Sequence, residues 1–438
     1  MSEKVSADLF LPEEKKAWFS HDRFGMFIHW GIYALAARHE WVKSREEMDD
    51  AAYRKYFDHF DPDLYNPREW AARASAAGMK YVGLTAKHHD GFCLWDTKTT
   101  EYNATNTPYG RDLIAPFVEA FRAEGLKVGF YYSLPDWQHP DFTLDMYHPL
   151  RNREDAVALN TGRNMSNYAA TMREQVSELL TAYGKIDVIW FDFSYPGRTY
   201  KGFPGKGPDD WQSLELLRLV RRLAPDIIVN NRLGIETDVP DVLTPEQYTP
   251  RTPPTVNGRP VTWEMCQTFS GSWGYHRDED SWKSPEQLLK ILIDGVALGG
   301  NLLMNVGPTG RGTFDQRAID ALDAYARWMK LHSRSIYGAG QSPFTAPDGC
   351  RYTQRGNRLY VHIYSWPNQY LHLDGLAGKV AYAQMLNDAS EVQWLGADTD
   401  PHFVPPVGDT TLTLHLPVKK PDVVVPVVEL FLKEGATP

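Results

Sequence analysis

Residues 185–196 read KIDVIWFDFSYP, an apolar run that stops at a carboxylate. Ile186, Val188, Ile189 and Trp190 have the near-continuous apolar character of a strand buried in a parallel sheet, and Ser194, Tyr195, Pro196 and Gly197 end it as a turn. Asp192 therefore falls at a strand's carboxyl end. Barrels and open α/β sheets build their pockets there, because the loops leaving those ends form the pocket floor. An aspartate that merely closes a turn would also fit this one strand. The rest of the chain decides between the two, since other apolar runs end in the same way.

Upstream, RFGMFIHWG at 23–31 is an apolar strand presenting His29, and ARHEWV at 37–42 sets Glu40 beside the broad face of Trp41. KYVGLTAKHHDGFCLW at 80–95 is a second strand ending in His88 and His89, and KVGFYYS at 127–133 a third, carrying Tyr131 and Tyr132. Downstream, DIIVNNR at 226–232 ends in Asn231 and Arg232. VTWEMC at 261–266 carries Glu264 and leads into GSWGY with Trp273, while GNLLMNVGP at 300–308 is a later strand. Between them a long proline-rich segment, 234–260, holds Glu246 within TPEQYTP; a loop of that length in a compact domain is more often functional than idle. Helical spacing is expected over 48–60, 67–78, 111–125, 166–183, 211–224, 285–298 and 314–336, so strands and helices alternate as βαβ units. Seven strands are one short of eight. Beyond about 340 the pattern changes to short β runs with turn signals. The expected fold is α/β: an irregular (β/α)8-like barrel of the TIM type over residues 1–340, then an antiparallel β-sandwich over 341–438.

At 438 residues the chain can bury a large core and a smaller one. A net charge of −10 and pI near 5.8 speak against nucleic acid and against anionic membranes, whose phosphates need a basic surface. A neutral substrate fits better. Cys93, Cys266 and Cys350 are odd in number and far apart, so reduced thiols are expected rather than disulfides or a zinc cluster. The first residues carry no apolar stretch of signal-peptide length, which leads to a cytoplasmic expectation. His88 and His89, adjacent on an extended backbone, should point to opposite faces and so cannot chelate one metal as an i, i+4 pair would. Hydrogen bonding to hydroxyls suits them better. Neither a metal nor a cofactor is expected.

The strand ends collect Asp192, Glu246 or Glu264, several histidines, Arg232 and aromatic rings, without a phosphate-cradling glycine loop. Two carboxylates among hydroxyl-binding groups suit glycoside hydrolysis, in which one stabilises or attacks the sugar's cationic centre and another protonates the departing oxygen. FGMFIHWG, EW, KYVGLTAKHHDGFCLW, GFYYS, DVIWFD, NNR, WEMC with SWGY, and GGNLLMNVGPTGRG together, in order over residues 18–340, resemble the α-L-fucosidases of glycoside hydrolase family 29. That resemblance implies a (β/α)8-like barrel with a β-sandwich and retaining hydrolysis of terminal α-L-fucose from a fucosylated oligosaccharide. It places the nucleophile on Asp192, and sugar binding on His29, Glu40, Trp41, His88, His89, Tyr131 and Arg232. Trp190 and Trp273 should border the pocket. The acid/base falls on Glu246 in one branch of the family and on Glu264 in another. Glu246 is preferred, because a flexible loop at the pocket edge can reach the leaving oxygen, and Glu264 is then a residue hydrogen-bonded near the sugar. Two other readings stay open: a carbohydrate-binding protein that does not cleave, and a metal-dependent hydrolase using the histidine pair.

Overall fold

The computed structural model describes residues 6–395 and 408–438. Seven parallel strands among them, β1 (Phe24–Ile28), β2 (Tyr81–Lys87), β3 (Lys127–Ser133), β4 (Val188–Asp192), β5 (Ile228–Val229), β6 (Glu264–Thr268) and β7 (Asn301–Val306), pair in the order β6-β7-β1-β2-β3-β4-β5. The sheet curls around an apolar interior. Nearly every residue of these strands is buried, because helices cover the outer face and side chains fill the inner one. The covering helices include α1 (Glu13–Asp22), α2 (Asp50–Asp58), α3 (Pro67–Ala76), α4 (Ile114–Ala123), α5 (Met165–Ala182), α6 (Ser213–Leu223), α7 (Pro285–Ala297) and α8 (Gln316–His332). Local chemistry starts several of them; α7 opens with Ser284 accepting from the Gln287 amide and Pro285 in the first turn, a reciprocal cap.

The gap between β5 and β6 is where the regular pattern gives way. β5 stops after two residues because the Asn230 side-chain amide takes over, accepting from Phe191 N (2.9 Å) and donating to Phe191 O (2.8 Å). The run 242–247 then lies in the gap through single parallel bridges, Asn230 to Val242, Leu243 to Trp263 and Glu246 to Cys266. Pro245 has no N–H to give, so no continuous ladder forms there. Period-two reading of the sequence finds no strand in TPEQYTP for the same reason. Asp241 anchors this run: its buried carboxylate accepts from Leu11 N (2.7 Å), Val229 N (3.0 Å) and the Arg221 guanidinium.

Packing inside the curled sheet depends on one small residue. A Cβ at Gly25 would meet the Tyr81 ring at 2.4–2.7 Å, so glycine on β1 is what lets that ring lie across to Glu264 on β6.

After α8 the chain forms two antiparallel sheets. One has β8 (Cys350–Arg355), β9 (Arg358–Ile363), β14 (Val427–Leu432) and β11 (Val380–Met385) in the order β8-β9-β14-β11; the other has β10 (Tyr370–Leu373), β13 (Leu412–His415) and β12 (Gln393–Leu395) in the order β10-β13-β12. Leu359, Val361, Leu373, Leu414 and Leu430 share the core between them. CRYTQR of β8 and YLHL of β10 are too polar or too short to stand out as strands in the sequence. Trp328 on α8 donates to Val425 O (2.8 Å), and Asp294 on α7 accepts from Arg351 (2.8 Å) and Tyr364 (2.9 Å), which ties these sheets to the helices. No helix among the described residues is long and apolar enough to cross a membrane.

Asp241→Ala should lower the unfolding free energy by about 3–5 kcal/mol, since it strands a buried guanidinium and two amides. Denaturant titration checks this, and a change under about 1 kcal/mol would mean that water satisfies those groups.

Candidate active site

At the carboxyl ends of the parallel strands lies a pocket. Its floor is aromatic: Phe27 of β1 packs its ring centroid 4.7 Å from His29, 5.3 Å from Trp190 and 5.8 Å from Tyr131. Tyr131 and Trp190 are register partners on β3 and β4, and their rings stack at 5.8 Å. His29, Glu40, Trp41, His88, His89, Tyr131, Trp190, Asp192, Glu246 and Trp273, all named from the sequence, line this one space.

Asp192 ends β4, its side chain only 14% exposed. Tyr131 donates to its Oδ2 (2.8 Å) and Arg232 Nη1 to its Oδ1 (3.0 Å). Burial nevertheless outweighs Arg232 and raises its pKa to about 6. The same Arg232 Nη1 lies 2.8 Å from Glu246 Oε2, so one nitrogen joins two carboxylates. Arg232 is held for this task by Thr244, which accepts from Nε and Nη2 at 3.1 Å each, and its guanidinium lies 4.6 Å over the Trp190 ring. Glu246 is the most open of these carboxylates, with 39% of its side chain exposed.

The opposite wall is buried, and its imidazoles are uncharged. His29 Nδ1 lies 2.7 Å from Asn305 Oδ1 and His89 Nδ1 2.6 Å from Ser133 Oγ, and burial drives both imidazole pKa values down to about 3. His88 Nδ1 is buried without a hydrogen-bond partner, and Glu40 Oε1 has His39 Nδ1 beside it at 3.1 Å. Glu40 Oε2 accepts from Gly274 N (2.8 Å), and burial pushes its pKa up to about 7. Such groups favour a ligand that supplies hydroxyls.

Three expectations need correction. His88 and His89 do not face apart, because β2 ends at Lys87 after a register shift, and both rings turn into the pocket with centroids 4.2 Å apart. Among the described residues, still, no group of three or more His, Cys, Asp or Glu is placed to hold a metal ion. Glu246 is not on a free loop, since Cys266 N donates to Pro245 O and Gln247 N to Cys266 O, both at 3.0 Å. Glu264, expected to be hydrogen-bonded near the sugar, lies two residues before the pocket-lining Cys266 on the same face of β6, one layer deeper. There it is 1% exposed, accepts from Tyr81 OH, and has its pKa raised to about 8 by burial. Arg232 meets the pocket through the two carboxylates it bridges, with Thr244 bonded to its Nε and Nη2.

Sequence reasoning missed Phe27, Phe193 and Cys266 in the wall. Alternation had a signal for Phe27, two residues before His29. Phe193 had none: its φ of 86° is a left-handed conformation that a bulky residue adopts only under constraint, here from Trp41, His89, Tyr147 and Tyr195 rings at 4.8–5.1 Å.

The sequence matches the family described as Alpha-L-fucosidase over residues 6–334. The human tissue alpha-L-fucosidase is 28% identical over 442 aligned positions, covering 93% of this chain and 86% of that protein. Alpha-L-fucosidase isoenzyme 1 from Paenibacillus thiaminolyticus superposes with a TM-score of 0.89 at 42% identity, over 96% of this chain and 99% of that one. A trapped covalent intermediate of a GH29 alpha-L-fucosidase from Bacteroides thetaiotaomicron, in complex with 2-fluoro-fucosyl fluoride, matches with a TM-score of 0.83 at 25% identity over 98% of each chain.

The raised pKa of Asp192 has a direct readout. Carbon-13 detection of its carboxyl group should show an inflection near pH 6, with the carboxylate forming above it. Tyr131→Phe removes a hydrogen bond to the charged form and should move the inflection upward.

Proposed function

Since the chain belongs to the alpha-L-fucosidase family and is a glycoside hydrolase, we propose that it releases terminal α-L-fucose from fucosylated oligosaccharides by double displacement, with Asp192 as nucleophile and Glu246 as acid/base. The observation that carries this reading is the shared Arg232 nitrogen, 3.0 Å from Asp192 and 2.8 Å from Glu246. The facing oxygens are then at most about 6 Å apart, which suits the ~5–5.5 Å carboxyl separation of a retaining pair better than the wider gap that admits a water in inverting enzymes. The trapped covalent intermediate of the Bacteroides relative supports the same outcome.

In the first step an Asp192 carboxylate oxygen forms a bond to the anomeric carbon while the glycosidic C–O bond breaks. Glu246 gives its proton to the leaving oxygen, and Tyr131 and Arg232 fix the attacking carboxylate. In the second step Glu246 takes a proton from water, whose oxygen attacks the anomeric carbon and frees Asp192. Glu264 supports this division by its position, since it is enclosed below the pocket floor beside Tyr81. We read the curled sheet with its bridged run at 242–247 as an irregular (β/α)8 barrel in which that eighth segment carries Glu246. His29, His88, His89 and Glu40 would take up the sugar's hydroxyls, while Trp41, Trp190 and Trp273 face its apolar edge.

On an aryl α-L-fucoside, Asp192→Gly should lower kcat by about 10³-fold or more, with azide restoring turnover as a fucosyl azide of inverted configuration. Glu246→Ala should lose about 10²–10⁴-fold on glycan substrates, and on an activated aryl fucoside, whose leaving group needs no proton, azide should speed turnover and give a fucosyl azide of retained configuration. Full activity in Glu246→Ala would sink the acid/base assignment.

A further inference from the structure

We propose that Ser133 and Asn305 are positioning residues that lock His89 and His29 as Nδ1–H tautomers, so that both rings turn a bare Nε2 acceptor toward the sugar and none of their protons reaches Asp192. The inference rests on the fucosidase reading of the pocket and specifies how its hydroxyls are recognised.

Two backbone carbonyls fix the direction of every hydrogen. Asn305 Nδ2 is 2.6 Å from Trp273 O, and a carbonyl can only accept, so the amide nitrogen faces Trp273 and Oδ1 faces His29. An amide oxygen also only accepts, so the proton between them, over 2.7 Å, belongs to His29 Nδ1. Reversing the amide would set two oxygens against each other at Trp273. Ser133 does the same with a hydroxyl: its Oγ donates to Pro135 O, which leaves Oγ to accept from His89 Nδ1 at 2.6 Å. All four side chains are buried, so water does not compete for these bonds. Neutral rings, imposed by that burial, then carry no proton on Nε2.

The consequences differ for the two rings. His89 Nε2 lies 3.9 Å from Asp192 Oδ2. A proton there would move the ring into hydrogen-bond range of the nucleophile and disperse its charge, whereas a bare nitrogen leaves Tyr131 and Arg232 as the partners of that carboxylate. Ser133 is placed for this by the sheet, being the register partner of Asp192 on the neighbouring strand. His29 touches no carboxylate of the pair, so its lock acts on binding. Asn305 reaches Trp273 because Gly307 lets the 273–275 backbone approach; a Cβ there would meet it at 2.7 Å. A sugar that fits must donate a hydroxyl hydrogen to each Nε2. Replacing either hydroxyl by fluorine, which only accepts, should hurt binding at least as much as replacing it by hydrogen.

Full-length enzyme labelled with ¹⁵N-histidine tests this in long-range ¹H–¹⁵N spectra at pH 7, the two rings being identified by the signals missing from His29→Gln and His89→Gln. Both should show a protonated Nδ1 and a bare Nε2; an Nε2–H ring at either position overturns the proposal. Ser133→Ala should switch His89 to Nε2–H and lower kcat about tenfold with KM within about twofold, and Ser133→Thr should restore both ring form and rate. Asn305→Leu should instead raise KM about tenfold with a smaller change in kcat. A His89 ring that stays Nδ1–H in Ser133→Ala overturns the lock whatever the rate. If that variant does not fold, the unsubstituted enzyme's spectrum still decides. The spectra do not depend on Asp192 as nucleophile, so a failure of that assignment would show separately, as an Asp192→Gly enzyme that azide cannot rescue.

Discussion

A carboxylate at the buried end of a strand is tolerated only where other groups make up for lost water, and Asp192 meets this condition through partners from a neighbouring strand and from a turn. Tyr131 comes from β3, in register beside β4, and Arg232 from the turn after β5. Neither reaches Asp192 unless the parallel sheet holds its order. The register of the sheet and the chemistry of the pocket are thus one constraint: a slip of one residue in β3 would turn Tyr131 outward and leave a buried anion short of a donor. Arg232 extends the constraint to the bridged run, because its hold on Thr244 and Glu246 brings an irregular segment to the same centre.

Much of this was legible in the sequence. The strands around Phe24–Ile28, Lys127–Ser133 and Asn301–Val306 stand out by their apolar runs, and His29, Tyr131 and Asp192 reach one pocket because carboxyl ends of parallel strands share a side. The irregular parts were not legible, for reasons specific to each. β5 is cut short by a side chain, Asn230, imitating a backbone, which no periodicity reports. The 242–247 run contains a proline and pairs by single bridges, so it reads as loop. The histidine pair was misread because strand geometry was extended two residues beyond the point where the strand stops. Asn305 and Ser133 sit in plain view within strands, but their roles depend on contacts 276 and 44 positions away along the chain.

The pocket divides into halves with different electrostatics. One half, with Asp192, Arg232 and Glu246, holds charges joined by a single guanidinium. The other, with His29, His88 and His89, is kept uncharged by burial. Aromatic rings meet both halves: Trp190 lies under the Arg232 guanidinium, Trp273 against His29 and Trp41 against His89, with Phe27 beside Trp190. The C-terminal sheets take no part in lining this space; they pack on α7 and α8 from outside.

Below the floor, Glu264 hangs in the interior that Gly25 opens for Tyr81. Folding lifts its pKa from 4.5 to about 8, with burial as the cause, so at neutral pH the native protein keeps a proton that the unfolded chain gives up. Folding is then coupled to proton uptake, and the stability this group contributes is complete below pH 4.5 and drains away as pH climbs to about 8. Glu40 and Asp192, lifted to about 7 and about 6, pull in the same direction. The acids that equip the interior therefore make it a fold that alkali loosens from within.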